Sequence, residues 1–211
     1  MKNLLLFCVA ATFAFVLASC EQAQEAKNAY SAVVTTAKAA EEIGKNMEAA
    51  QSRQVTRRKQ GDTLALNYKE LQKYLPASPA GFAAEGTPEG QSTNMAGMHM
   101  ATSSQEYKKG DQSLEVTLVD YNGAGALFMG ATAMMSSGME IEDDNQLMRG
   151  IKTKQAGVKG METFDKKDHK ATVMLAVGDR FLLTVEATGQ NDTELVKSVA
   201  TGMNLEALAK R

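Results

Sequence analysis

With 211 residues, 23 Lys+Arg against 25 Asp+Glu and a net charge of −2, the chain is long enough for one well-filled domain and has no basic excess for nucleic acid. Hydrophobic residues make up 44% of it, with 13 methionines, no tryptophan and two cysteines, a usage that excludes a disulfide-dense scaffold.

The first element is an export signal. Lys2 supplies the positive start, Leu4 to Leu17 is an almost unbroken apolar run, and Ala18-Ser19 are small residues before a cleavage point. A membrane span needs about 20 apolar residues, and this run stops short of that, at the polar stretch Cys20-Glu21-Gln22. Leu17-Ala18-Ser19-Cys20 resembles the lipobox of bacterial lipoproteins, in which small residues admit the signal peptidase and the cysteine sulfur takes a diacylglycerol. The resemblance implies removal of residues 1–19 as a signal peptide and lipid attachment, palmitate included, at Cys20. It places the chain in the cell envelope, at the outer membrane, facing either the periplasm or the cell surface. Cys8 then leaves with the signal and Cys20 is acylated, so no thiol remains for a disulfide, a metal or a nucleophile.

Residues 20–60 are rich in Ala, Glu, Lys and Gln and read as a polar helical stalk. Its apolar seam, Tyr30, Val33, Ala37, Ala40, Gly44 and Met47, is too thin for a firm coiled coil. Residues 61–211 read as a single α+β domain. A short helix over Leu66–Leu75 stops at Pro76, and a Pro/Gly-rich loop spans 76–94, with Phe82 able to begin an edge strand inside it. Met98–Lys108 and Leu114–Tyr121 alternate as strands around Gly110-Asp111, giving an antiparallel hairpin with a loop longer than the tightest type.

The stretch 123–137 reads as a helix lying on the sheet through Ala126, Leu127, Met129, Gly130, Ala133 and Met134. Residues 140–145 read as a solvated acidic turn, without the central Gly and terminal Glu of a calcium loop. Four further strands follow, near Met148–Thr153, Gly157–Phe164, Ala171–Val177 and Phe181–Ala187. The last two form a hairpin about Gly178, with Phe181, Leu183, Val185 and Ala187 on one face and Arg180 and Glu186 wet. Asn191-Asp192-Thr193-Glu194 starts a C-terminal helix in the manner of a capping box. The expected architecture is an antiparallel sheet of about five to seven strands with helices packed on it, preceded by a long N-terminal helix.

Several of these segments carry a resemblance. Leu75-Pro76, Gly81-Phe82, Met98 through Tyr107, Val116-Thr117-Leu118-Val119-Asp120, Gly160-Met161-Glu162-Thr163-Phe164-Asp165 and Val177-Gly178-Asp179-Arg180-Phe181 fall in the order found in a family of uncharacterised bacterial periplasmic or lipid-anchored proteins, which residues 71–208 resemble. That family lends no activity, and its arrangement is similar to the sandwich fold of Mog1 and PsbP-like proteins, which implies docking of partners.

No catalytic pattern stands out. A Gly-x-Ser-x-Gly elbow is absent, Gly123-Ala124-Gly125-Ala126 lacks the rest of a nucleotide fingerprint, and His169 sits in a charged turn. One cluster has chemistry: Met95, Met98, His99 and Met100 bring thioethers and an imidazole within six residues, donors that suit a soft metal such as copper or silver. Strand alternation puts Met98 and Met100 on one face and His99 on the other, and filling a core is the commoner use of methionine. The sequence therefore points first to a non-enzymatic envelope lipoprotein. Such a protein binds the membrane through its lipid, docks an envelope protein partner and needs no cofactor. A soft-metal module is the alternative.

Overall fold

The structure, a computed structural model, describes residues 44–45, 48–136, 139–151 and 153–211. The signal peptide, Cys20 and the stalk up to residue 43 lie outside the described residues. The described helix α1 covers residues 48–59, and the rest of the expected long N-terminal helix is not described. No described helix is long and apolar enough to cross a membrane.

Eight strands form one antiparallel sheet, more than the five to seven expected, in the order β1-β2-β3-β8-β7-β6-β5-β4. They are β1 (Ala83–Met95), β2 (Met98–Lys109), β3 (Gln112–Asp120), β4 (Glu140–Glu142), β5 (Gln146–Ile151), β6 (Val158–Asp165), β7 (Lys170–Val177) and β8 (Phe181–Ala187). The chain makes two meanders, β1–β3 and β4–β8, and zips them together where β8 pairs with β3, Leu118 opposite Leu183. The helices are α2 (Tyr68–Gln72), α3 (Gly125–Thr132), α4 (Glu194–Gly202) and α5 (Leu205–Ala209).

The additional strands lie at the two edges. Residues 83–95, expected inside a loop, form β1, and residues 140–142 form β4. An edge strand pairs on one side only, so the composition that reads as a loop is tolerated there. Pro88 falls in the bulge between Glu85 and Glu89, and Gln105 fills that bulge by donating its side-chain amide to Glu85 O at 2.9 Å. The Gly110-Asp111 link turns out to be the tightest kind, two residues between the paired Lys109 and Gln112, with Gly110 at φ +60°.

One face of the sheet carries the main core. Alternation sends Leu114, Val116 and Leu118 of β3, Val173, Leu175 and Val177 of β7, and Phe181, Leu183 and Val185 of β8 to the same side. There they meet Leu71 of α2, Val196 and Val199 of α4, and Leu205 and Leu208 of α5. Tyr107 is fully buried at its rim and donates its hydroxyl to Pro76 O at 2.6 Å, and burial pushes its phenol up to about 12. Two glycines permit close approach: a Cβ on Gly90 would lie 2.7 Å from the Tyr68 ring, and one on Gly160 would lie 2.4 Å from a methyl of Leu175.

The opposite face is covered over one part only, by α3 and the 3-10 turn Ala133–Ser136. These bring Phe128 and Met135 onto Met161, Ala176 and Leu182. The contact stripe differs from the one expected. Ala126, Leu127 and Gly130 are exposed, and the buried positions are Ala124, Gly125, Phe128 and Met135. A Cβ on Gly130 would meet nothing, whereas Gly125 is needed because the Gln54 side chain of α1 rests against it.

Candidate functional site

Register builds the open part of that second face. Glu85 of β1 pairs with Glu106 of β2, Glu106 with Glu115 of β3, and Glu115 with Glu186 of β8. Directly opposed residues project to the same side of a sheet, with neighbouring strands about 4.8 Å apart, so the four carboxylates form a row about 14 Å long. The row continues as Thr172 and Thr163 on β7 and β6. Beside it runs a second row, Glu89, Ser104, Thr117 and Thr184. No described helix lies on these positions, and Glu85, Glu89 and Glu106 are exposed.

Cations meet only the ends of the row. Lys108 pairs with Glu85 at 2.7 Å and Lys170 with Glu186 at 2.7 Å. These contacts hold both lysines above their ordinary range, the hydrogen bond to the glutamate being the first cause in each. Among the described residues no lysine or arginine pairs with Glu106 or Glu115, the latter taking only a hydrogen bond from Thr117 Oγ1 at 3.2 Å. Like charges placed directly opposite across strands cost roughly 0.2–1 kcal/mol each. The charges of Lys108 and Lys170 reach Glu106 and Glu115 without forming an ion pair with either, so the central like-charge contacts are only partly offset.

At the far end of the same face is the β1–β2 hairpin tip. Met95 pairs with Met98 across a two-residue turn in which Ala96 is at φ +52° and Gly97 at φ +78°, the positive pair that a type I′ turn demands. Met95 therefore shares the face of Met98 and Met100. His99 pairs with Asn94 and projects to the other side. There the 122–124 segment passes over it, so closely that a Cβ on Gly123 would lie 2.6 Å from His99 Cβ. The four residues grouped by sequence thus divide into a thioether trio and a separate imidazole. His169 is exposed in its turn, with Nδ1 3.0 Å from Gln190 O.

Two buried polar clusters hold the scaffold. Arg180, expected to be wet, is only 4% exposed and makes a bidentate pair with the fully buried Asp120, Nε to Oδ1 at 2.9 Å and Nη2 to Oδ2 at 2.8 Å. Its Nη1 donates to Asp62 at 3.2 Å and to Arg211 O at 3.0 Å. Asp120 also accepts from Leu66 N and Asn122 N, so all of its capacity is used internally. Glu162, 3% exposed, receives Arg149, Lys197 and the hydroxyl of Thr193, the residue before α4.

A cavity of about 520 Å³ lies between α1, α3 and the turns at 156–159 and 178–179, with Arg53, Arg57, Lys159 and Asp179 on its walls. Some of its polar groups are engaged by the protein, whereas the buried Nε of Arg57 has no hydrogen-bond partner among the described residues. Arg53 pairs with Asp179, Arg57 donates to Asp179 O at 3.2 Å, and Thr132 donates to Phe128 O at 2.9 Å. Burial, then the charge of Arg180, lowers Arg57. The same contacts lay the described part of α1 against the domain, where the sequence reading had a solvated stalk reaching residue 60. Among the described residues no group of three His, Cys, Asp or Glu converges to hold a metal ion.

No protein-family model, curated protein or solved structure matches the chain. The carboxylate row escaped sequence reasoning because each glutamate, taken alone, is an ordinary outward residue of an alternating strand. Only the register of four strands lines them up.

Proposed function

We propose that the chain is a lipid-anchored, non-enzymatic docking module of the bacterial envelope, held to the outer membrane through acylated Cys20, whose open sheet face receives a basic protein partner. The observation that carries this reading is the row Glu85, Glu106, Glu115 and Glu186, opposed strand by strand with its two central members unpaired. A partner helix offering one Lys or Arg per turn presents cations about 5.4 Å apart, close to the roughly 4.8 Å between strands. Such a helix, laid across the strands, meets the carboxylates in succession, and the flanking Ser104, Thr117 and Thr184 supply hydrogen-bonding hydroxyls. Electrostatic complementarity of this kind sets specificity and on-rate. On the cavity walls Arg53 and Asp179 are paired with each other, which supports a binding role over catalysis.

Two experiments test the reading. Glu106→Gln with Glu115→Gln removes like-charge contacts, so the double variant should gain about 0.5–1 kcal/mol in urea unfolding. It should also lose at least tenfold in affinity for a helical peptide with lysine every third or fourth residue. Wild-type binding should weaken steeply between low and physiological salt. Unchanged peptide affinity in the variant removes the docking face. For the anchor, mass spectrometry of the membrane fraction should show a chain that begins at an acylated Cys20, and Cys20→Ser should release the protein to the soluble fraction. A mature chain beginning at any other residue refutes the anchor.

A further inference from the structure

The hairpin tip carries an assignment independent of the docking face. We infer that Met95, Met98 and Met100 form a three-thioether site for a soft monovalent cation, Cu(I) or Ag(I). The register is the first reason. Met95 directly opposes Met98, and Met100 stands two residues further along the same strand, so all three side chains leave one face of one hairpin. Opposed positions have Cβ atoms about 5 Å apart and i, i+2 positions are separated by about 7 Å, distances that the three rotatable bonds of methionine close easily.

Exposure is the second reason. Methionine used as core filler is buried, but Met95 is 64% exposed, the most exposed large hydrophobic side chain among the described residues, while Met98 and Met100 are half-buried beside it. The turn that brings the three together also places an alanine, Ala96, at positive φ, a conformation that costs a non-glycine residue of order 1 kcal/mol. The donor set is the third. Three neutral sulfurs with no carboxylate among them suit a polarisable monovalent ion and leave the charge of a divalent ion uncompensated. His99 faces away under residues 122–124, so the site is all thioether rather than mixed sulfur and nitrogen. No cluster of His, Cys, Asp or Glu elsewhere among the described residues competes for the metal.

The test is anaerobic titration of the purified full chain with Cu(I) against a competing chelator, and with Ag(I) while the methionine methyl groups are followed by NMR. One equivalent should bind at submicromolar affinity, moving the methyl resonances of Met95, Met98 and Met100 and leaving the core methionines in place. Each of Met95→Leu, Met98→Leu and Met100→Leu should weaken binding at least about tenfold. His99→Ala should leave it unchanged, and Zn(II) should not bind. Methionine to leucine conserves volume, and an unchanged thermal midpoint in each variant shows that affinity was lost without the fold. Binding no tighter than micromolar, shifts spread over the core methionines, equal affinity in the leucine variants, or loss in His99→Ala each overturns the assignment.

Discussion

Replacing Asp120 with alanine should lower the unfolding free energy by about 3–5 kcal/mol, the usual consequence of stranding one member of a buried ion pair. Arg180 is 4% exposed, and without Asp120 it keeps only the carboxylate of Asp62, at 3.2 Å, and Arg211 O. The backbone amides of Leu66 and Asn122 lose their acceptor in the same step. Against a total stability of about 5–15 kcal/mol, this approaches half of what holds the fold. Arg180→Ala should cost a similar amount, and the double variant less than the sum, because removing both charges leaves neither stranded. Urea unfolding with an unchanged m-value measures all three. A loss below about 1 kcal/mol for Asp120→Ala, or strict additivity in the double variant, would show that the pair does not act as the clasp described.

That clasp explains why one end of the sheet is closed although the chain enters and leaves there. Asn122 donates to Asp62 at 2.5 Å and to Leu64 O at 3.0 Å, Asp120 takes Leu66 N, and Arg180 holds Arg211 O. The segment between α1 and α2, the centre of the sheet and the C-terminus therefore share one polar knot. Stability is concentrated on the face packed by α2, α4 and α5, and this is why the other face can bear opposed carboxylates and exposed thioethers. A sheet with one filled face and one open face is free to spend the open one on recognition.

The legible parts of the sequence were those in which a single strand declares its own two sides. β3 alternates cleanly, with Leu114, Val116 and Leu118 in the core, and the residues expected on one face of β8, Phe181, Leu183, Val185 and Ala187, lie there too. β1 was hidden because its glycines weaken a strand and Pro88 is confined to edges and bulges, and β1 is an edge. The stripe on α3 was misread because alanine, glycine and methionine surround the whole helix, and Phe128 alone decides the contact. Arg180 was misplaced for a different reason. A guanidinium in a turn is normally solvated, and its partner Asp120 lies 60 residues away on a strand whose neighbour no local pattern names. The carboxylate row and the methionine trio share that character, since each needs register, and register is a property of pairs of strands.

Glu162 shows how such a long-range pair becomes a measurable pH dependence. Its carboxylate sits on the filled face beside Val173, with Arg149 Nε at 2.5 Å, Lys197 Nζ at 3.2 Å and the Thr193 hydroxyl bound to it. Burial pushes the carboxyl up, and the hydrogen bonds from Thr193, Arg149 and Lys197 outweigh burial, holding it below the usual glutamate range. A group depressed in the folded state contributes stability that is complete above its unfolded pKa, about 4.3, and is lost as pH falls through the folded value. Glu162→Gln keeps the shape but removes the charge and turns an amide N–H toward donors. It should cost about 2–3 kcal/mol at pH 7, less than a fully buried pair because Arg149 is partly solvated. The gap between wild type and variant should stay constant from pH 7 to about 5 and close below about 4. Thr193 and Lys197 belong to the start of α4, so the variant should also show faster amide exchange in the first turn of that helix. A gap that persists undiminished at pH 3, or that is absent at pH 7, would mean that the carboxylate is carried by the fold and does not anchor α4 to the sheet.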